Sequence, residues 1–371
     1  MTLSIYQHRT PLTRTFEKLA AGELTIGLLG GSITAPAPHN WSEPVIAWLA
    51  NEYPDAALQV ENAAIGSTTS ESALFRAEQD IIGRDCDLLF VEYAVNDHQE
   101  PPEKRMRTRE GLLRKLLERT EADLVLVYTF RQEMYEDMMS GRMPSSIAGL
   151  EQLGEHYQLG SVWMGLYALQ EVVHGRLRWE AWLPDGLHPQ DRGSQCYADS
   201  VIAFLETERR QVGKQAAIQT APIPERLRQP LPEPLDPGHW QASELLDLRG
   251  IERKGPWSLR RRRDLASLGQ ALYTSAPDAA LRFGFEGRGL TLAFLFGKYT
   301  AEFSYRIDGG EWQASSLDRS GWCPEKGYPK MFTISDELGP GPHQVELVTR
   351  HGGGLHCKGT NFELLFAGVL K

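Results

Sequence analysis

The chain has 371 residues, long for one domain and comfortable for two, and is 41% hydrophobic and 24% charged, an ordinary balance for a globular protein. Its net charge of −10 disfavours general attraction to nucleic acid or to anionic membrane surfaces. No apolar run is long enough to span a bilayer, and the first twenty residues hold no apolar stretch of the secretory kind, so a cytoplasmic location without membrane or nucleic-acid partners is expected.

In chain order, the first half alternates short apolar runs with amphipathic stretches. LTIGLL (24–29), ALQVEN (57–62), DLLFVEY (87–93) and DLVLVYT (123–129) predict buried strands, each bounded by polar or turn residues. A weaker fifth run, GSVWMG (160–165), follows a helical pattern at 147–158. Between the strands, WSEPVIAWLANEY, SESALFRAEQDII and REGLLRKLLERT carry apolar residues at helical spacing, and 193–210 reads as a closing helix. Strands alternating with helices imply a parallel sheet covered on both faces, a three-layer α/β domain over residues 1–210.

The pattern then changes. Residues 221–238 are crowded with prolines, which suit neither helix interiors nor central strands, so 211–238 reads as a linker or surface strap. From 239 to 371 the signal is all-β. LTLAFLFG, AEFSYRIDGGEWQ, HQVELVTR and FELLFAGVL are separated by glycine-rich turns, and IDGGEW carries a hairpin signal. A β-sandwich of jelly-roll type is expected. Such a domain would bind carbohydrate, roof a site or form a homo-oligomer interface, and the sequence does not choose among these.

The chemistry-bearing residues cluster after strand ends, the edge where open α/β sheets bind ligands. Ser32 follows the first strand behind Gly30 and Gly31, which clear space beside its hydroxyl. Neither a phosphate-loop Lys-Ser/Thr pair nor a GxSxG elbow is present, since position 34 is Thr. NAAIGSTTSE brings Gly66 to the end of the second strand, and YAVNDH brings Asn96 to the end of the third. A serine beside neutral donors suits acyl transfer, in which an oxyanion develops. The serine needs a base, and Asp185 and His188 stand three apart in a Pro- and Gly-bounded loop before the closing helix. At that spacing the carboxylate can orient the imidazole and leave its far nitrogen for the serine proton. Each feature alone is also an ordinary turn or helix cap.

Together and in this order, GGSIT, AAIGSTTSE, VNDH and DGLHPQDRG resemble the blocks of the SGNH (GDSL-type) hydrolase superfamily over about residues 22–210. The resemblance implies a flavodoxin-like sheet, with Ser32 as nucleophile, His188 as general base and Asp185 as its partner. It implies an oxyanion hole from the Ser32 and Gly66 amides and the Asn96 side chain. Two blocks depart from the usual pattern: Gly-Asp-Ser has become Gly30-Gly31-Ser32, and Gly-x-Asn-Asp has become Ala94-Val95-Asn96-Asp97. The Gly-Gly-Ser form is similar to branches that include carbohydrate esterases. The expected activity is hydrolysis of a small acyl ester, acetyl foremost, on a sugar or oligosaccharide. The alternatives are acyl transfer, a longer-chain lipase or thioesterase at the same site, and a carbohydrate-binding protein with a dormant hydrolase domain.

Trp41 and His98 follow strand ends and are candidate substrate contacts. LRRRRD (259–264) reads as a solvated or salt-bridged strip. Trp257, Trp312 and Trp322 are expected to fill the small sandwich core or a contact between the domains, in preference to stacking on sugars. No cofactor or metal is called for: HGGGLHC (351–357) reads as a hairpin loop, and the four cysteines form no CxxC. Cys86 and Cys196 are expected as buried thiols, with a Cys323–Cys357 bridge left open.

Overall fold

The structure, a computed structural model, is described for residues 3–37, 39–218, 230–262, 269–315, 317–319, 321–352 and 357–371. Part of the expected linker (219–229), the end of the arginine run (263–264) and residues 353–356 of HGGGLHC lie outside the described residues. The chain divides into two compact units, Met1–Gln241 and Ala242–Lys371.

The first unit is built on β1 (Tyr6–Gln7), β2 (Glu23–Gly30), β3 (Ala57–Asn62), β4 (Leu88–Glu92), β5 (Asp123–Val127) and β6 (Gly160–Val162), in the order β1-β6-β5-β4-β2-β3. The five strands from β2 onward are parallel, as alternation with helices predicts, and their order is flavodoxin-like. β3 departs from the buried strand expected of ALQVEN: it stands at the sheet edge with none of its residues buried, because only one flank is covered by a neighbouring strand. β4 and β5 are buried at every residue, the burial that a parallel sheet covered on both faces imposes. β1 pairs antiparallel with β6, and its two residues are too few to show an alternation. The helices are α1 (Thr13–Ala20), α2 (Ser42–Glu52), α3 (Ser70–Asp80), α4 (Pro102–Arg119), α5 (Tyr135–Met139), α6 (Ser145–His156), α7 (Met164–Val173), α8 (Trp179–Trp182) and α9 (Asp191–Ile218).

The segment expected as a linker behaves differently at its two ends. α9 continues through 211–218, where Gln, Lys and Ala sustain a helix and no proline interrupts it. Residues 230–241 lie along α4. The buried Glu110 carboxylate accepts the N–H groups of Leu235 (2.6 Å) and Asp236 (2.8 Å) and the Tyr157 hydroxyl (2.6 Å). Trp240 is wholly buried and donates its backbone N–H to the Arg107 carbonyl (3.1 Å). A Cβ on Gly111 would stand 2.7–2.8 Å from the Trp240–Gln241 backbone, so only glycine allows the strap this close to the helix.

The second unit is an antiparallel sandwich of β7 (Ser243–Leu245), β8 (Glu252–Lys254), β9 (Ser258–Arg261), β10 (Gln270–Thr274), β11 (Ala280–Glu286), β12 (Gly289–Phe296), β13 (Glu302–Ile307), β14 (Gln313–Ala314), β15 (Tyr328–Ser335), β16 (Pro342–Arg350) and β17 (Phe362–Leu370). One sheet runs β15-β12-β17-β10-β9 with β7 also on β17, and the other runs β14-β13-β16-β11-β8. Phe294, Phe303 and Phe362 meet in its core, with ring centroids 5.3 to 5.9 Å apart. The IDGGEW turn joins β13 to β14, with Asp308 and Gly309 in the left-handed region at φ 50° and 70°.

The tryptophan expectation needs correction. Trp257 packs on the core, edge-on to Phe362, but Trp312 is 45% and Trp322 66% exposed. They belong to connecting segments on either side of short β14. Arg306 covers one face of Trp312, and Trp322 leans on Tyr328. In the arginine run, Arg262 pairs with Glu363 (2.8 Å) and Arg260 stacks on Tyr273. All four cysteines are free, so no Cys323–Cys357 bridge forms. Cys86 and Cys196 are buried as expected, and burial pushes both thiols up to about 12.

Candidate active site

β2 lies between β3 and β4, so the three turns that follow these strands are neighbours at one sheet edge. The ladder continues past β3: the Ala63 N–H donates to Leu28 O (2.9 Å) and the Ile65 N–H to Gly30 O (3.1 Å). This zippering carries Gly66 to Ser32; a Cβ added at Gly66 would stand 3.6 Å from the serine Cβ. On the other side, Asn96 opens a 3₁₀ turn, Asn96–Gln99, directly after β4. Its carboxamide lies against Gly31. A Cβ there would sit 2.5 Å from Nδ2 and closer still to Oδ1 and Cγ, so this placement of the carboxamide needs a glycine before Ser32. Gly30 faces Thr34 in the same way, with Thr34 Cβ 2.8 Å from the position of an added methyl. The paired glycines thus let Thr34 fold back beneath the turn and Asn96 close over it.

Asp185 and His188 arrive from late in the first unit's sequence. Gly186 adopts φ 77° and its carbonyl accepts the Gln132 N–H (2.9 Å), which folds the loop between α8 and α9 onto the segment after β5. Asp185 Oδ1 accepts the N–H groups of Leu187 (2.9 Å) and His188 (2.7 Å), which leaves Oδ2 for His188 Nδ1 at 2.8 Å. Although partial burial opposes it, these hydrogen bonds hold the Asp185 carboxyl below the usual range. His188 Nε2 meets Ser32 Oγ at 2.9 Å. With Nδ1–H donated to Asp185, Nε2 is the acceptor and the serine hydroxyl the donor, a tautomer assigned from the partners. The sequence-predicted Ser32, Gly66, Asn96, Asp185 and His188 are therefore brought to one edge. Such an array can activate a hydroxyl and stabilise an oxyanion beside it.

Trp41 needs correction as a substrate contact. It is 0% exposed, edge-on to Phe90, and its indole N–H donates to Thr34 Oγ1 (3.1 Å). Its position at the start of α2 turns the ring into the core beneath the turn that carries Ser32. His98 stays half-buried on the Asn96 turn, and burial, with Arg131 nearby, moves its pKa down. Its Nδ1 has no hydrogen-bond partner among the described residues. The Arg131 guanidinium grips Glu133 through two hydrogen bonds of 2.8 Å and draws that carboxyl down to about 2.

Several residues support the turn in ways that local pattern alone did not specify. Asn40 and Asn62 both donate to Thr34 O (2.6 and 2.9 Å), and Asn40 also to Ala35 O (2.8 Å). Asp97, beside Asn96, accepts the Ser70 N–H (2.8 Å) at the start of α3 and the buried Arg109 Nε (2.7 Å). Glu92 lies wholly buried under the turn. One signal was available: a glutamate inside the apolar run DLLFVEY is out of place unless something holds it. Among the described residues no cluster of three or more His, Cys, Asp or Glu could hold a metal, and no helix is long and apolar enough to cross a membrane.

No family model and no curated protein matches the sequence. Among solved structures, a two-domain esterase active on acetylated mannans, co-crystallised with mannopentaose, matches with a TM-score of 0.79 and 23% identity, over 98% of this chain and 96% of that one. An acetylxylan esterase from Geobacillus stearothermophilus matches 49% of this chain and 94% of its own, at 18% identity and a TM-score of 0.43. The chain thus has the two-domain fold of the mannan-active esterase, a parallel α/β unit followed by a β-rich one.

Proposed function

We propose that the chain is a serine esterase releasing small acyl groups, acetyl foremost, from sugars or oligosaccharides. The observation that carries this reading is the unbroken hydrogen-bond line from Ser32 Oγ through His188 to Asp185, beside neutral donors. In the proposed reaction Ser32 Oγ attacks the acyl carbon while its proton passes to His188 Nε2. Asp185 steadies the imidazolium. The oxyanion rests on the Ser32 and Gly66 N–H groups and the Asn96 carboxamide. His188 then returns the proton to the departing sugar hydroxyl, and water, deprotonated by the same nitrogen, releases the acid from Ser32.

Hydrolysis is favoured over transfer by openness: the His188 and Asp185 side chains are 45% and 55% exposed, so water reaches the acyl-enzyme. The sugar substrate is supported by the Gly-Gly-Ser resemblance and by the fold shared with an esterase active on acetylated mannans. His98 is the proposed sugar contact. The test compares wild type with Ser32→Ala on p-nitrophenyl acetate, butyrate and octanoate, with acetate release from acetylated oligosaccharides alongside. Acetate-selective turnover that vanishes in the variant, with a serine-directed phosphonate adduct on Ser32, is expected. Equal rates in both proteins would remove the serine, and octanoate preference would remove the sugar ester.

A further inference from the structure

Directly beneath the nucleophile turn lies an ionisable group that the reaction above does not use. Glu92 ends β4, paired in register with Gly30, and its side chain has no solvent exposure. One oxygen accepts the Thr129 hydroxyl (2.7 Å) and the other the Thr34 hydroxyl (3.3 Å), while the Gly31 backbone N–H lies near enough to favour the charged carboxylate. The Thr34 oxygen is itself taken up by the Trp41 indole N–H. Thr34, one of the two hydroxyl donors to Glu92, and the neighbouring Gly31 N–H both belong to the turn 30–34 that presents Ser32. Every direct partner is neutral, and among the described residues no cation pairs with Glu92. The other titratable groups facing it are Asp97, already held by Arg109, and the buried phenols Tyr93 and Tyr197.

We propose that Glu92 is a positioning residue: its carboxylate, when ionised, holds the Gly31–Thr34 turn in place, so that the site carries a second protonation switch below the histidine. The inference rests on the esterase reading of the same site. Its logic is one of hydrogen-bond capacity. An ionised carboxylate only accepts, and its hydroxyl and N–H neighbours can all turn a donor to it. Protonation removes the charge, so the Thr34 hydrogen bond passes from charge-assisted to neutral, about half as strong, and one carboxyl oxygen must itself donate. The turn's tether then weakens two residues from the serine. Burial draws the Glu92 carboxyl up to about 7, which puts this change within the range in which a histidine base also titrates.

The consequence is readable in kinetics. With two groups required unprotonated, log(kcat/KM) of the wild type falls toward acid with a slope approaching 2. Glu92→Gln, which cannot ionise, falls with a slope of 1. Its plateau is about 10–10² lower, mainly in kcat, since a loosened turn misplaces the reacting atoms. An infrared pH titration of the resting protein follows the protonated-carboxyl band, and the band missing from Glu92→Gln should titrate with the steeper limb. A wild-type slope of 1, or a variant with the wild-type profile, would overturn the proposal and leave the esterase standing. If Glu92→Gln does not fold, the wild-type slope and infrared titration decide: a carboxyl titrating with activity supports it, and none refutes it. Absence of hydrolysis and of phosphonate labelling at every pH would instead sink the esterase reading, while the infrared titration still tests the ionisation of Glu92.

Discussion

Replacing Gly31 by alanine tests the oxyanion geometry without touching a reacting group. The new methyl would fall on the Asn96 carboxamide, whose three non-hydrogen end atoms all lie within 2.5 Å of it. Side-chain contacts that close do not occur, so one partner must yield. The turn is tethered by Glu92, Asn40 and Asn62, whereas the carboxamide is the end of a side chain. Asn96 should swing away. Loss of one oxyanion donor costs about 10²–10³ in kcat, or about 3–4 kcal/mol of transition-state stabilisation. Asn96→Ala should cost about the same, since it removes the same donor. The two should not add: once the carboxamide is gone, the Gly31→Ala methyl has room, and the double variant should match Asn96→Ala alone. The assay is kcat on p-nitrophenyl acetate for all four proteins, with melting temperatures to confirm folding. If Gly31→Ala multiplies the loss in the Asn96→Ala background, the methyl acts through the turn and the reasoning fails.

Asp185→Asn should lower kcat by about 10⁴ with little change in KM, because the amide favours the wrong imidazole tautomer; a loss under tenfold would remove Asp185 from the relay. Since its hydrogen bonds hold Asp185 below the usual carboxylate range, it stays ionised through the acid limb and should add no inflection above pH 4 in the kcat/KM profile. Glu92 also links pH to stability. Raised from 4.5 to about 7 in the folded state, it makes the native protein bind more protons than the unfolded chain between those values. Stability should therefore fall, by about 3 kcal/mol, as pH rises through that window, and urea midpoints at pH 5 and 8 should show less of this fall in Glu92→Gln. Glu110→Ala strands the buried donors of Leu235, Asp236 and Tyr157, so a cost of about 3 kcal/mol or more is expected, with proteolytic nicking near 230–238. Wild-type protease resistance in that variant would show the strap held by other contacts.

What could be read from the sequence was what local pattern encodes. The five parallel strands appear because each is a short apolar run flanked by breakers, and the site residues appear because each directly follows a strand or a turn signal. β1, with two residues, and β15, half-buried throughout, carry too little contrast to detect. The burial of Trp41 and Glu92 depends on which side of the turn the chain folds, a tertiary outcome. The same limit explains Trp312 and Trp322, whose exposure follows from the segments around β14 and not from their composition. The proline-rich stretch misled in part, since proline signals a lack of helix or sheet but not a lack of attachment.

The attachment of 230–241 has a bearing on modularity. A unit that could be exchanged between proteins must be cut where no buried side chain is divided from its socket. In this chain the first unit ends at that point only after Trp240, whose ring sits near Phe75 in the interior. Recombination upstream, at the prolines or at the end of α9, would leave a hole the size of an indole and a stranded Glu110 carboxylate. A β-sandwich following such a unit can therefore be gained, lost or swapped without harming the α/β fold only by a junction at Gln241–Ala242, which makes a dozen residues of apparent spacer part of the inheritance of the α/β unit.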